Sequence, residues 1–246
     1  MSPWPDPFWI AHRGAGRLAP ENTLAAFRLG ARHGYRMFEC DAKLSADGVV
    51  FLLHDGTLER TTSGQGTAGD QPWAALAQLD AGGWHSRAWA GEPIPTLDNL
   101  ARWCLANHHL LDIEIKPTPG TEAATGRAVA ALAASLWQGA AVPPLLTSFQ
   151  TEALRAAQQV APQLPRGLLL DTLWDGWLAA ARQLDCAAIV CNHALWDAAT
   201  VSQVKAAGLR ALSYTVNDAW AAERLMALAT DGIVTDRVDL FSPASR

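Results

Sequence analysis

Eight short apolar runs alternate with Ala- and Leu-rich amphipathic stretches along this 246-residue chain, and that alternation limits the fold more than any other feature. The apolar runs lie at 8–11, 36–41, 110–116, 144–147, 166–170, 187–191, 209–215 and 232–234. Stretches with helical period lie at 23–33, 97–107, 121–136, 151–160, 173–184, 197–207 and 219–229. Strands separated by helices pair in parallel, because two parallel neighbours need a crossover between them. Eight such units close into a (β/α)₈ barrel, and the chain has the length of one barrel. The expectation is an α/β protein with a single domain over 1–246. Gly34 and Gly208 fall just past two of the helices, where left-handed caps belong.

One stretch breaks the alternation. Asp47-Gly48 signals a hairpin turn, and 49–53 reads as an extra strand after it. The following 57–95 is rich in Gly, Thr, Trp and Pro and has little helical period. A long irregular connection inside a barrel usually serves function. Leaving the second strand, it rises from the C-terminal face, where barrel enzymes place their chemistry. It is expected to form a small cap that selects substrate. Gly64-Gln65-Gly66 inside it follows no strand and opens no helix, so it is not a nucleotide loop.

The charge balance excludes some partners. The formal net charge is −5 and only three lysines occur, Lys43, Lys116 and Lys205. No basic field exists to draw in nucleic acid or acidic lipid, so an anionic substrate must be held by a local site. No apolar segment reaches the length of a membrane span. The first residues lack the basic region and apolar run of a leader, which together with cysteine usage points to the cytoplasm. Cys40, Cys104, Cys186 and Cys191 show no CxxC spacing and read as reduced core thiols. The oligomeric state is left open.

The chemistry-bearing residues gather at strand ends. In Phe38-Glu39-Cys40-Asp41 the two acids share one side of the strand and the cysteine takes the other. In Leu111-Asp112-Ile113-Glu114-Ile115-Lys116 the two acids and the lysine share a face. Charges inside a barrel are costly unless compensated. Carboxylates converging from neighbouring strands suit a hard cation such as Mg²⁺, Ca²⁺ or Mn²⁺. A salt-bridge network of Glu114, Lys116 and an arginine fits the same spacing, and both readings stand at this point. The first strand ends at His12-Arg13-Gly14, joining a proton-transfer group to a bidentate phosphate donor. His54-Asp55 ends the extra strand and puts a second histidine near the same rim. With two histidines, one can take a proton while the other supplies one. His193 follows the sixth strand and could reach substrate. Trp103, Trp137 and Trp220 sit in helical patterns and should pack as core. Trp84, Trp89, Trp174 and Trp177 are the candidates for lining a mouth, although packing is favoured for them too. His33, His85, His108 and His109 read as surface or capping residues.

Taken in order, His12-Arg13-Gly14, Pro20-Glu21-Asn22-Thr23, Glu39-x-Asp41, His54-Asp55 and Glu114-x-Lys116 resemble the glycerophosphodiester phosphodiesterases. Ser148-Phe149, Tyr214-Thr215-Val216-Asn217 and Gly232-Ile233-x-Thr235-Asp236 are similar to that family's later markers. The likeness runs from residue 10 to about residue 240 and is closest to the compact bacterial cytoplasmic enzymes. It implies a barrel with a small insertion and a metal-dependent hydrolysis of glycerophosphodiesters to sn-glycerol 3-phosphate and an alcohol. It also implies Glu39, Asp41 and Glu114 as ligands of a divalent cation, Mg²⁺ or Ca²⁺ with Mn²⁺ as an alternative. His12 and His54 match the acid/base pair, and Arg13 and Lys116 the cations on the phosphate. Asn22 matches a polar site residue, Glu21 an orienting one, and Tyr214 and His193 complete the expected substrate contacts. Cys40 departs from the pattern, since an apolar residue is usual between the two acids. Lysophospholipase D-like head-group cleavage and a non-catalytic phosphodiester-binding barrel are the alternatives.

Overall fold

Eight parallel strands close on themselves in the computed structural model, which describes residues 7–244. The leader expectation rests mainly on positions 1–6, which lie outside the described residues. In chain order the strands are β1 (Trp9–Ala11), β2 (Met37–Leu44), β3 (Val50–Leu52), β4 (Leu110–Ile115), β5 (Leu145–Ser148), β6 (Arg166–Leu170), β7 (Cys186–Asn192), β8 (Arg210–Tyr214) and β9 (Gly232–Thr235). Hydrogen bonding runs β1-β9-β8-β7-β6-β5-β4-β2, and Ala11 opposite Phe38 closes the ring. The extra strand β3 is antiparallel to β2 and lies outside the ring. The helices are α1 (Leu24–Arg32), α2 (Trp73–Leu76), α3 (Leu97–Ala106), α4 (Glu122–Leu136), α5 (Thr151–Val160), α6 (Trp177–Gln183), α7 (Ala198–Ala206) and α8 (Ala219–Ala227). This is a TIM barrel with one added strand.

Strand alternation produces two apolar layers. Ile10, Met37, Leu145, Leu169, Val190, Leu212 and Val234 face inward and fill the barrel. Their neighbours Phe38, Cys40, Ile113, Leu146 and Ile189 face outward and pack under the helices. Cys40 thus lies away from the barrel axis, as the alternation requires. All four cysteines are free and buried. Among the described residues no helix is long and apolar enough to cross a membrane.

Helix starts fix the rim. Thr23, Thr96, Asp197 and Asp218 each accept a backbone N–H of the first turn. Such caps satisfy donors that would otherwise be orphaned, at about 1 kcal/mol each. The chain between β3 and α3 builds the cap around its own cluster of Phe51, Leu53, Leu58, Leu76 and Ile94. It re-enters the barrel where Leu52 N–H donates to Pro95 C=O at 3.0 Å.

Several boundaries differ from the sequence reading for local reasons. β2 continues to Leu44 because residues 42–44 pair with β3. The sixth helix starts at Trp177 rather than 173, since Gly176 has φ +90 and interrupts the helical backbone. Trp137 is buried and Trp103 packs against Phe38 and His109, but Trp220 is 72% exposed beside Arg224 instead of in the core. Trp177, a candidate for the mouth, is buried among the core residues.

A close approach of two helices gives a stability prediction. A Cβ added to Gly126 of α4 would stand 2.2 Å from the Ala153 carbonyl of α5. Alanine gains about 1 kcal/mol of helix propensity over glycine. Overpacking against backbone costs roughly 1–3 kcal/mol and should win. Thermal unfolding of Gly126→Ala is therefore expected below wild type; an unchanged or raised melting temperature would refute the close approach.

Candidate active site

The site follows from the register of two strands. Glu39 lies opposite Asp112 and Asp41 opposite Glu114, so β2 and β4 present their acids as two rungs at the C-terminal end of the barrel. All four carboxyls are buried or nearly so. One oxygen each from Glu39, Asp41 and Glu114 lies within 4.8 Å of the others. Glu39 Oε1 and Asp41 Oδ1 are buried without a hydrogen-bond partner, which is costly unless a ligand uses them. Three converging carboxylates, two of which carry an oxygen without a partner, fit a hard divalent cation.

The three carboxyls are not electrostatically alike. Burial and the charges of Asp41 and Glu114 hold the Glu39 carboxyl well above its ordinary value. Burial, with Asp41 beside it, pushes Glu114 up to about 7. For Asp41, burial is outweighed by the cations Arg13 and Lys116, and its carboxyl stays below the ordinary range. Arg13 Nε stands 3.1 Å from Asp41 Oδ2, and Asn22 Nδ2 donates to the same oxygen at 2.8 Å. Asn22 also accepts from the Asp41 backbone N–H at 3.1 Å. Both polar ends of this asparagine thus orient Asp41. Lys116 Nζ donates to Glu114 at 2.7 Å and stands 3.6 Å from Asp41. The salt-bridge network is present, and the carboxylates in it are the same three that converge closely enough to hold a cation. Asp112 accepts from Thr147 Oγ1 at 2.8 Å and is pushed up to about 8 by burial.

Both histidines are gripped in the same way. His12 Nδ1 lies 2.6 Å from Asp236 and His54 Nδ1 lies 2.7 Å from Asp55, while His12 Nε2 stands 3.7 Å from Glu39. Asn217 donates to Asp236 Oδ2 at 2.8 Å and accepts the Asp236 N–H at 2.9 Å. Burial would raise the Asp236 carboxyl, but the bonds to His12 and Asn217 outweigh it and bring it to about 2. The turn after β1 makes this approach possible. Gly16 has φ +55, and a Cβ there would stand 2.2 Å from the Asp236 backbone. Arg13 and Asn22 adopt left-handed φ values of 49 and 60, a strain that often marks functional turns. Burial lowers the pKa of His54 below its ordinary value.

These groups border one cavity of about 170 Å³. Arg13, His12, His54, Glu39, Glu114 and Lys116 line its polar side, and Leu169, Val190, Val234, Phe149 and Tyr214 its apolar side. Tyr214 donates to the Leu170 carbonyl at 3.0 Å and meets Phe149 edge-to-face. His193 does not line the cavity; its carbonyl, in the short turn after β7, accepts from Arg224. None of the four candidate tryptophans lines it either. A larger cavity of about 620 Å³ opens at the opposite, N-terminal ends of β6–β8. Its Arg166 is committed to the carbonyls of Pro162, Leu164, Leu184 and Asp185, and no site acid or histidine reaches it. Chemistry, not size, marks the site.

Four residues that orient the site carry no role in the sequence reading. Asp55, Asp236 and Asn217 stand inside quoted motifs, and an acid at a strand's C-terminal end was the available signal. Arg60 gave none.

Comparison with known proteins agrees with this geometry. Residues 12–240 match the glycerophosphoryl diester phosphodiesterase family. A glycerophosphodiester phosphodiesterase of Caldanaerobacter subterraneus is 32% identical, over 92% of this chain and 93% of that protein. A phosphodiesterase of Oleispira antarctica, solved with the product sn-glycerol-3-phosphate, superposes with a TM-score of 0.87 at 35% identity, covering 94% of this chain and 93% of the other. A glycerophosphodiester phosphodiesterase of Agrobacterium tumefaciens gives a TM-score of 0.79 at 32% identity, over 96% and 98% of the two chains. Ordered motifs, barrel and relatives lead to one assignment: the chain belongs to the glycerophosphoryl diester phosphodiesterase family.

Proposed function

We propose that the protein hydrolyses a small glycerophosphodiester, such as glycerophosphocholine or glycerophosphoethanolamine, to sn-glycerol 3-phosphate and an alcohol, within glycerophospholipid catabolism. The observation that carries this reading is the convergence of two carboxylate-held histidines, two cations and three acids on one small cavity. Glu39, Asp41 and Glu114 would hold Mg²⁺ or Ca²⁺, with Mn²⁺ also suited to the oxygen donors. Such a cation, when bound, neutralises phosphate charge and makes a nearby hydroxyl more acidic.

The chain's own residues supply the rest. Lys116 and Arg13, both lining the cavity, would hold phosphoryl oxygens as charge develops on them. One imidazole deprotonates the nucleophile, whether water or the substrate's own 2-hydroxyl, and the other protonates the departing alkoxide. Four free, buried cysteines support a reducing compartment, the cytoplasm.

The test is a coupled assay of glycerol 3-phosphate release from glycerophosphocholine, run beside lysophosphatidylcholine, with and without chelator. Turnover of the first substrate, abolished by chelation and restored by Mg²⁺, Ca²⁺ or Mn²⁺, is expected. Turnover of the lysolipid alone would transfer the chain to the lysophospholipase D-like reading. Full turnover in exhaustively metal-free protein would remove the cation from the mechanism. Binding without turnover would leave a phosphodiester-binding barrel.

A further inference from the structure

One side chain of the cap reaches both halves of the proposed machinery. Arg60 lies in the cap's first loop, where Thr57 pairs antiparallel with Thr67. The same loop is anchored by Leu58, 2% exposed in the cap's apolar cluster. Arg60 Nη1 and Nη2 donate to the two carboxylate oxygens of Glu21, each at 2.8 Å. Its Nε and Nη2 donate to the two oxygens of Asp55, at 2.5 and 2.9 Å. Those two carboxylates are the ones that hold the working groups. Asp55 meets His54 Nδ1 at 2.7 Å, and Glu21 accepts from Arg13 Nη1 at 2.9 Å.

Resting on the function proposed above, we propose that Arg60 is a positioning residue that locks the orientation of His54 and of Arg13 through a single guanidinium. Stability does not account for the arrangement. Arg60 is 43% exposed, and ion pairs at such sites contribute about 0–1 kcal/mol. Geometry does account for it. A planar fork bonded to both oxygens of a carboxylate stops that carboxylate from rotating. Asp55 so fixed keeps the Nδ1 proton of His54 in place and leaves Nε2 facing the cavity. Glu21 so fixed keeps Arg13 at the phosphate position. Lysine carries the same charge without the fork, so charge and geometry separate experimentally.

The experiment compares wild type with Arg60→Met and Arg60→Lys on glycerophosphocholine, with thermal unfolding as the check on folding. Turnover number should fall roughly 10–100-fold in both variants, the size typical for losing an orienting partner, while the Michaelis constant moves less. Millimolar guanidinium should restore part of the turnover of Arg60→Met, since the vacated site is open to solvent. A second readout does not depend on activity: the His54 Nδ1–H proton resonance, present in wild type, should be lost in both variants. A wild type that is inert yet shows the resonance change sinks the proposed function and retains the positioning. An active wild type whose Arg60 variants keep turnover within threefold and keep the resonance overturns the inference. Should Arg60→Met fail to fold, Arg60→Lys decides by the same two readouts.

Discussion

Replacing His12 or His54 by alanine is expected to lower turnover of a natural glycerophosphodiester by roughly 10²–10⁴, the usual contribution of a positioned acid or base. The two losses should then diverge with the leaving group. A nitrophenyl phosphodiester needs no proton on departure, so the general acid becomes nearly dispensable while the base does not. Burial holds His54 below its ordinary pKa and favours the neutral imidazole that a base requires. His54→Ala should therefore remain severe on the activated substrate and His12→Ala should become mild. The carboxylate holding each ring, Asp236 for His12 and Asp55 for His54, should give a smaller loss of the same pattern when changed to Asn. The wild-type pH profile should be bell-shaped, and each histidine variant should lose one limb. Equal responses of both variants to the leaving group would end the two-histidine mechanism. A reversed pattern would keep it and exchange the roles.

The legible part of this protein was whatever repeats or alternates. Eight apolar runs gave the barrel because strand burial on both faces leaves a continuous apolar signature. Alternation within Glu39–Cys40–Asp41 and Asp112–Glu114–Lys116 correctly separated the inward acids from the outward cysteine and isoleucines. What the sequence concealed were partnerships across the ring. Asp236 meets His12 across 224 residues only because β1 and β9 are neighbours when the barrel closes. Arg60 meets Glu21 across 39 residues through a cap without periodicity. Trp220 shows the opposite failure. It opens a helix of apolar pattern, yet it stands 72% exposed beside Arg224. A position on the rim is readable from sequence, but the direction of a side chain there depends on a turn that is not.

The largest effects on metal affinity should come from Glu39, Asp41 and Glu114, and their effects on folding should have opposite signs. Changing any one to its amide should abolish tight cation binding and with it turnover. Like charges without an ion repel one another, so three equivalent carboxylates would each relieve the metal-free protein on removal. The contacts divide them. Glu39 and Glu114 carry raised pKa values, so ionising them in metal-free protein costs stability, and Glu39→Gln and Glu114→Gln should be neutral or stabilising. Asp41 is fully buried against Arg13 and accepts from Asn22. Asp41→Asn leaves that arginine short of a partner and should cost about 3 kcal/mol, the scale of a broken buried pair. The pH dependence follows the same signs. Glu114, raised from 4.5 to about 7, contributes stability that is complete below its unfolded value and is lost as pH rises through 7. Metal-free wild type should thus weaken between pH 5 and 8 by a few kcal/mol, and Glu114→Gln should make that slope shallower, with Glu39 and Asp112 carrying the remainder. A saturating divalent cation should flatten it as well, because the ionised carboxylates then have a partner. Isothermal titration and unfolding curves on the three variants test both halves. A variant with wild-type metal affinity leaves the ligand set, and an Asp41→Asn protein as stable as Glu39→Gln would show that Arg13 does not depend on Asp41.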